Sequence, residues 1–166
     1  MNLNLGCGQH FADRATWVNV DTHEVCDHDE CVDQRPDVLA DCRLLPFPAG
    51  HFDNVYAGHL LEHLPLDDVL PALREMRRVL HAAGQLCIVG PDYDRAVADF
   101  PEMVTAIWPG TGSGWDGADH QWCATETNTL AFVRRIFPDA RPVPIAELDE
   151  FWPAVSFLEW QFAVVA

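Results

Sequence analysis

The sequence predicts an α/β fold with a doubly wound, mostly parallel sheet that carries helices on both faces. Short apolar runs typical of strands alternate with helical or loop segments over the first 92 residues. Residues 86–89 are apolar throughout, as expected of a strand buried on both faces. Acidic residues, glycines and a histidine directly follow the predicted strands.

Length and charge exclude several classes of protein. A chain of 166 residues forms one domain with room for a sizeable core. The net charge is −16 and every basic residue is an arginine, so we expect no nucleic-acid partner. No apolar run approaches the roughly 18 residues of a membrane helix, and no secretory signal is visible. These features predict a cytoplasmic protein without a membrane partner.

The first two predicted strands carry the first candidate ligand residues. Residues 2–6 predict a strand because two leucines alternate there with an asparagine. Gly6 and Gly8 follow, and without a Cβ they allow a sharp turn that a nucleotide-like ligand can approach, although an ordinary tight turn fits equally well. Residues 17–21 predict the second strand, which ends at Asp21. A carboxylate there can bind two ribose hydroxyls or cap a turn.

Residues 22–36 are polar and acidic and predict a long loop. The loop contains zinc-type ligands at short spacing: His23, Cys26, His28 and Cys31. Structural zinc sites usually draw two pairs of ligands from separate segments, so a solvated acidic loop explains this stretch better. We therefore expect no metal site.

The remaining elements of this half continue the alternation. Strands are predicted over 37–40, 52–57 and 86–89, and an amphipathic helix over 67–82, which Gly84 is expected to stop. The carboxyl ends of parallel strands meet at one edge of a sheet, where ligands bind. The residues expected to converge there are Gly6, Asp21, Asp41, Gly58, His59 and Asp92. The sequence thus predicts one ligand site at this edge.

The second half is less regular. Helices are predicted over 93–107 and 125–137, a glycine-rich loop over 109–117, and strands over 143–148 and 157–165 that form an antiparallel edge. Residues 93–124 are expected to act as a lid or acceptor segment that delivers His120. An exposed last strand would favour a homodimer through edge pairing.

Together these residues resemble class I S-adenosylmethionine-dependent methyltransferases. The resemblance rests on residues 3–8, 18–21, 40–47, 58–64 and 73–80, and the chain is most similar to small members associated with glycan and cell-surface biosynthesis. It implies one methyltransferase domain over residues 1–166. It also implies a Rossmann-like, seven-stranded sheet with an antiparallel edge strand.

The resemblance implies S-adenosylmethionine as the cofactor and a role for each matching residue. The implied cofactor-binding residues are Asn4, Gly6, Cys7, Gly8, Asp21, Asp41, Cys42, Leu44, Gly58 and His59. The glycines of the first turn would admit the methionine part, and Asp21 would bind the ribose. Asp41 would bind the adenine amino group, with Cys42 and Leu44 beside the ring. Gly58 and His59 would line the methyl-donor pocket.

Methyl transfer from a sulfonium requires an acceptor that is held in line and relieved of its proton. We therefore expect a small-molecule or glycan acceptor with a reacting hydroxyl. The candidate bases are His59, His63, Asp92 and His120, and we favour His59, at the sheet edge, or His120, after the glycine-rich loop. Each fits a structural histidine as well.

Other functions remain open at this point. Asn4 replaces the family's usual acid and Gln9 a frequent glycine, so a degenerate cofactor-binding or interaction module without catalysis is one alternative. A nucleotide-dependent oxidoreductase would favour glycine where Phe11 stands. Residues 59–63 match the H-x-x-E-H pattern of some metallopeptidases, but they follow a strand end and stop at Pro65, which favours the methyltransferase interpretation.

Overall fold

The computed structural model describes residues 1–8, 10–22, 35–102, 104, 120–148, 151–153 and 161–166. Its strands are β1 (Asn2–Leu5), β2 (Trp17–Asp21), β3 (Val38–Leu39), β4 (Phe52–Gly58), β5 (Leu80–Pro91), β6 (Arg141–Val143) and β7 (Gln161–Val165). Its α-helices are α1 (Leu66–Val79), α2 (Tyr93–Asp99) and α3 (Glu126–Arg134). Short 3₁₀ helices cover Leu61–His63 and Ile145–Glu147.

The strands form one seven-stranded sheet in the order β3-β2-β1-β4-β5-β7-β6. Strands β1 to β5 pair in parallel, and β7 runs antiparallel between β5 and β6. The predicted fold class is confirmed. The expectation of an exposed last strand is wrong, because β7 pairs on both sides and β6 forms the edge. The edge-pairing argument for a homodimer therefore does not apply to β7.

Gly84 does not stop the helix. Helix α1 ends at Val79, and β5 begins at the next residue and includes Gly84. The pairing of β4 with β5 shifts register between Phe52 and Asn54, opposite this part of β5. A Cβ on Gly84 would lie 2.5 Å from the carbonyl oxygen of Asp53. The glycine thus permits a close approach of two strands.

The second half corrects three other boundaries. Helix α2 ends at Asp99, where Phe100 is the C-cap before a proline, so the predicted helix over 93–107 is interrupted there. Residues 101, 102 and 104 are helical again, and residues 103 and 105–107 lie outside the described part of the chain. Helix α3 begins after Thr125, which forms a capping box with Asn128. The strand predicted over 143–148 is wrong, because β6 ends at Val143 and a 3₁₀ turn follows. Half of the predicted lid and part of the last predicted strand lie outside the described residues.

The sheet separates two cores of different composition. On one face Leu5 and Ile88 pack in a large apolar cluster with side chains of α1 and α3. On the other face Trp17, Tyr56 and Val89 form a smaller aromatic cluster. Within the described part of the chain, no helix has the length and apolar character needed to cross a membrane.

Candidate functional site

Two adjoining clefts lie at the carboxyl edge of the sheet. The larger, of about 550 Å³, is lined by residues from the ends of β1 and β2, from the loop after β3 and from the segment after β4. The smaller, of about 170 Å³, is lined by the glycine turn and by residues from β1 and β4. The clefts share Gly6, Gly8 and His59. Of the residues predicted to converge at this edge, all but Asp92 line one or both clefts.

The glycine turn after β1 adopts a conformation that excludes most side chains. Gly6 has φ of 70° and Gly8 has φ of 48°, in the left-handed region that glycine favours. A Cβ on Gly6 would also lie 2.9 Å from Cδ1 of Leu60. The amides of Gly6 and Cys7 both donate to the carbonyl of Val20, at 2.8 and 3.2 Å. These bonds hold the turn against the end of β2.

Asp21 connects the turn to the larger cleft. Its Oδ2 accepts a hydrogen bond from the amide of Gly8 at 2.8 Å, and its Oδ1 accepts one from the amide of Thr22 at 2.7 Å. The carboxylate also lines the larger cleft. Backbone donors on both oxygens orient the side chain, so its position depends on the turn itself.

Asn4 belongs to a buried polar network under the smaller cleft. Its Nδ2 donates to the carbonyl of His10 and to Oδ1 of Asn19, both at 2.9 Å. Asn19 also donates to Asp37 and to the carbonyl of Ala12. Because both amide protons of Asn4 are used, the oxygen is the group that Asn4 can present to a ligand in the smaller cleft.

Asp41 lies at the exposed end of the larger cleft and is held by an arginine. Its Oδ1 accepts from the amide of Arg43 at 2.8 Å, and Nη2 of Arg43 lies 2.5 Å from its Oδ2. Nη1 of the same guanidinium contacts Asp68 at 2.5 Å. These hydrogen bonds and the positive charge hold the pKa of the Asp41 carboxyl below its usual value. We call Asp21, Asp41, Arg43 and Asp68 the aspartate side of the cleft.

Two buried cysteines line the clefts, Cys7 the smaller and Cys42 the larger. Burial, with the neighbouring charge of Asp21 at Cys7 and Asp41 at Cys42, raises the pKa of each thiol to about 12. Both therefore remain protonated near neutral pH and act as small apolar groups. Leu44, expected beside an adenine ring, is 78% exposed and lines neither cleft.

His59 lies where the two clefts meet. Its φ is 51°, and among the described residues no other non-glycine residue lies in the left-handed region. Such a strained conformation persists only where the surrounding structure requires it. Its amide donates to the carbonyl of Val89 at 2.8 Å. Its Nδ1 lies 3.1 Å from Oε1 of Glu62, and its Nε2 contacts Nε2 of Gln161. Both ring nitrogens are therefore positioned by neighbours.

Glu62 is buried, with a side chain 2% exposed. Burial acts to raise the pKa of its carboxyl, but the imidazoles of His59 and His63 outweigh that effect and hold the pKa below its usual value. The ring of His63 packs edge-on against that of His120, with centroids 4.9 Å apart. We call His59, Glu62, His63 and His120 the histidine side of the cleft.

The structure places the predicted site residues in three groups. All the predicted cofactor-binding residues except Leu44 line one or both clefts. His120 is 5% exposed, packs against His63 and lines neither cleft. Asp92, also expected at this edge, caps α2 through its side chain. The residues His23, Cys26, His28 and Cys31 lie outside the described part of the chain.

Sequence reasoning missed three contributors, Glu62, Arg43 and Gln161. Glu62 carried a signal, the H-x-x-E-H pattern, but the pattern assigns the ligands to a helix, and His59 precedes the 3₁₀ helix here. Arg43 and Gln161 carried none, because their roles depend on where the loop after β3 and strand β7 lie in space.

Comparison with known proteins identifies the class of this fold. A model of the methyltransferase domain family matches residues 3–88, just over half of the chain. The chain therefore belongs to the methyltransferase domain family. The predicted methyltransferase class is confirmed at the level of this domain family.

Individual relatives are more distant. The chain is 35% identical over 65 residues to an uncharacterised transposon protein of Streptomyces fradiae, covering 39% of this chain and 18% of that protein. It is 27% identical over 119 residues to an uncharacterised protein of Methanocaldococcus jannaschii, covering 72% of this chain and 52% of that protein. The chain thus spans about half, or less, of the length of these relatives.

A solved structure shares the fold over nearly the whole chain. A SAM-dependent methyltransferase from Archaeoglobus fulgidus superposes with a TM-score of 0.64 at 14% identity, covering 99% of this chain and 84% of that one. At this level of identity the likeness establishes the fold.

Proposed function

We propose that this chain binds S-adenosylmethionine in the two adjoining clefts and transfers its methyl group to a hydroxyl of a small-molecule or glycan acceptor. The observation that carries the proposal is the position of Gly6, Gly8, Asp21 and His59 around one hollow at the carboxyl edge of the sheet. Membership of the methyltransferase domain family supports the choice of ligand.

The two clefts suit different parts of this ligand. The carboxylate of Asp21, oriented by backbone donors, is suited to accept hydrogen bonds from ribose hydroxyls. The exposed backbone of the glycine turn admits the methionine part, and the oxygen of Asn4 can accept from its ammonium group. Arg43 already contacts both carboxylate oxygens of Asp41. Asp41 can therefore bind the adenine amino group only after Arg43 releases one of these contacts.

His59 is the proposed catalytic base. The bound ligand supplies an activated methyl group, so the protein has to orient the acceptor and remove its proton. Nε2 of His59 would take the hydroxyl proton, while the carboxylate of Glu62, 3.1 Å from Nδ1, stabilises the imidazolium that forms. The acceptor hydroxyl would replace the contact of Gln161 at Nε2. His120 is not assigned this role, because it is buried and lines neither cleft.

The test combines calorimetry with a transfer assay. We expect S-adenosylmethionine to bind with measurable heat and NAD not to bind. Isotopically labelled methyl should then reach hydroxylated acceptors from a panel of sugars and phenols. His59→Asn should lower kcat by about a hundredfold with little change in cofactor affinity. Asparagine is chosen because it tolerates the left-handed backbone of position 59. The control is His81→Gln, which changes an exposed histidine that lines neither cleft.

Three results would contradict parts of this proposal. Absence of both binding heat and thermal shift with S-adenosylmethionine would remove the cofactor assignment. Binding without transfer to any acceptor would favour a degenerate binding module. Unchanged turnover in His59→Asn would remove the base. Heat with NAD alone would favour the oxidoreductase.

A further inference from the structure

Three side chains with metal-binding atoms converge on the histidine side. One ligand atom each from Glu62, His63 and His120 lies within 4.8 Å of the other two. An ion placed between atoms at such separations lies less than about 3 Å from each, and Zn²⁺ bonds to imidazole and carboxylate at about 2.0–2.2 Å. Closing the three side chains around an ion therefore requires shifts below about 1 Å.

Burial makes this cluster unlike a chance group of surface side chains. Glu62 is 1% exposed and His120 is 5% exposed. Oε1 of Glu62 is buried and lies 3.1 Å from Nδ1 of His59. A buried carboxylate is costly unless it is paired, and a cation held by the cluster would compensate its charge.

The backbone fixes the two segments that carry these side chains. The amide of Gln121 donates to the carbonyl of Glu62 at 2.7 Å. The indole of Trp122 donates to the carbonyl of Leu61 at 3.0 Å. The segment with His120 is therefore tied directly to the 3₁₀ helix with Glu62 and His63, so the three ligands are held together before any ion binds.

We propose that Glu62, His63 and His120 form a binding site for a divalent transition-metal ion. Two imidazoles and one carboxylate form a ligand set that Zn²⁺ uses in proteins. His63 is half-buried and lines the larger cleft, so a fourth coordination position would face that cleft, as in zinc sites that keep one position open. The site differs from an H-x-x-E-H centre, because His59 is an outer partner of the Glu62 carboxylate and not a ligand.

The test titrates the chelator-stripped full chain with Co²⁺ and then with Zn²⁺. We expect one Co²⁺ per chain, with visible d–d absorption but no thiolate-to-cobalt charge-transfer band, and displacement by Zn²⁺. Glu62→Gln, His63→Gln and His120→Gln should each weaken Co²⁺ binding at least about tenfold. His81→Gln should bind as the unaltered protein does. The double variant Cys26→Ser, Cys31→Ser should also bind normally, which excludes the cysteine-containing loop as the source of the signal.

Each result of these titrations either supports the metal site or overturns it. Absence of Co²⁺ binding, normal binding by His63→Gln, or loss of binding in the cysteine variant would each overturn the site. Circular dichroism checks the folding of each variant. If either fully buried position does not tolerate glutamine, the half-buried His63 decides the result. Metal binding is measured without S-adenosylmethionine, so its failure would leave the proposed methyl transfer untouched, and the reverse also holds.

Discussion

The aspartate side and the histidine side of the cleft hold their charges in opposite ways. The side chains of Asp41 and Arg43 are 40% and 43% exposed, and their ion pair contacts solvent. The side chain of Glu62 is 2% exposed and lies among imidazoles. Exposed pairs exchange partners at low cost, whereas a buried carboxylate depends on its neighbours. The aspartate side can therefore exchange its partners when a ligand binds, whereas the histidine side keeps a fixed geometry.

The largest expected effect is on stability and falls on the histidine side. Glu62→Gln should lower the free energy of unfolding by about 3 kcal/mol, because it removes the buried negative charge beside His59. Asp41→Asn should lower it by less than about 1 kcal/mol, because an exposed ion pair contributes little. Urea denaturation with a metal chelator present measures both. Equal losses would show that the two sides do not differ as described.

The next effect is on cofactor affinity and falls on the aspartate side. Asp21→Asn should weaken binding of S-adenosylhomocysteine by about 2 kcal/mol, roughly thirtyfold, because it removes charge-assisted hydrogen bonds to the ribose. Asp53→Asn is the matched control, since Asp53 is an exposed acid paired with the N-terminal ammonium. Isothermal calorimetry gives both affinities. A similar loss in both variants would indicate a general charge effect instead of a ribose contact.

A smaller effect concerns pH. The pKa of Asp41 is lowered in the folded protein, mainly by its hydrogen bonds with Arg43. Its contribution to stability is therefore fully present above the usual value of 3.8 and is lost as the pH falls through the lower folded value. The stability difference between the unaltered protein and Asp41→Asn should be constant from pH 7 to about 5 and shrink in more acidic urea titrations. A difference that grows on acidification would contradict the sign of this linkage.

The smallest expected effect is on the reactivity of the two buried cysteines, one in each cleft. Cys7 and Cys42 are buried thiols with pKa values of about 12, so little thiolate exists at pH 8. Iodoacetamide should modify both at least about tenfold more slowly than the exposed Cys123. Peptide mass spectrometry over a time course measures the three rates in one sample. Rapid labelling of Cys42 would mean that the larger cleft is more open or more polar than described.

Residues at the ends of neighbouring strands were predictable from the sequence, and the contacts brought in by loops and by β7 were not. Gly8 and Asp21 end adjacent strands, and a parallel sheet brings such ends together whatever the details of packing. The packing of His120 against His63 and the contact of Gln161 with His59 depend on how a loop returns to the 3₁₀ helix and where β7 inserts into the sheet. Such placements depend on tertiary contacts that leave no periodic pattern in the sequence.

The predicted ends of one helix and one strand were wrong for a related reason. Gly84 was expected to end a helix, but the close approach of β4 and β5 requires a residue without Cβ there. Glycine is favoured both at the end of a helix and where two strands approach closely, and only the position of the neighbouring backbone distinguishes the two cases. The strand expected to continue after Val143 is replaced by a 3₁₀ turn that begins after Pro144, where the proline provides no amide for a ladder.

The central claim is that one adenosyl ligand lies between the glycine turn and the Asp21 carboxylate. A crystal structure with S-adenosylhomocysteine tests it most directly. The account predicts ribose hydroxyls within hydrogen-bond distance of Asp21, with the amino-acid end over Gly6 and Gly8. A ligand bound elsewhere, or one in the cleft whose ribose lies away from Asp21, would contradict it.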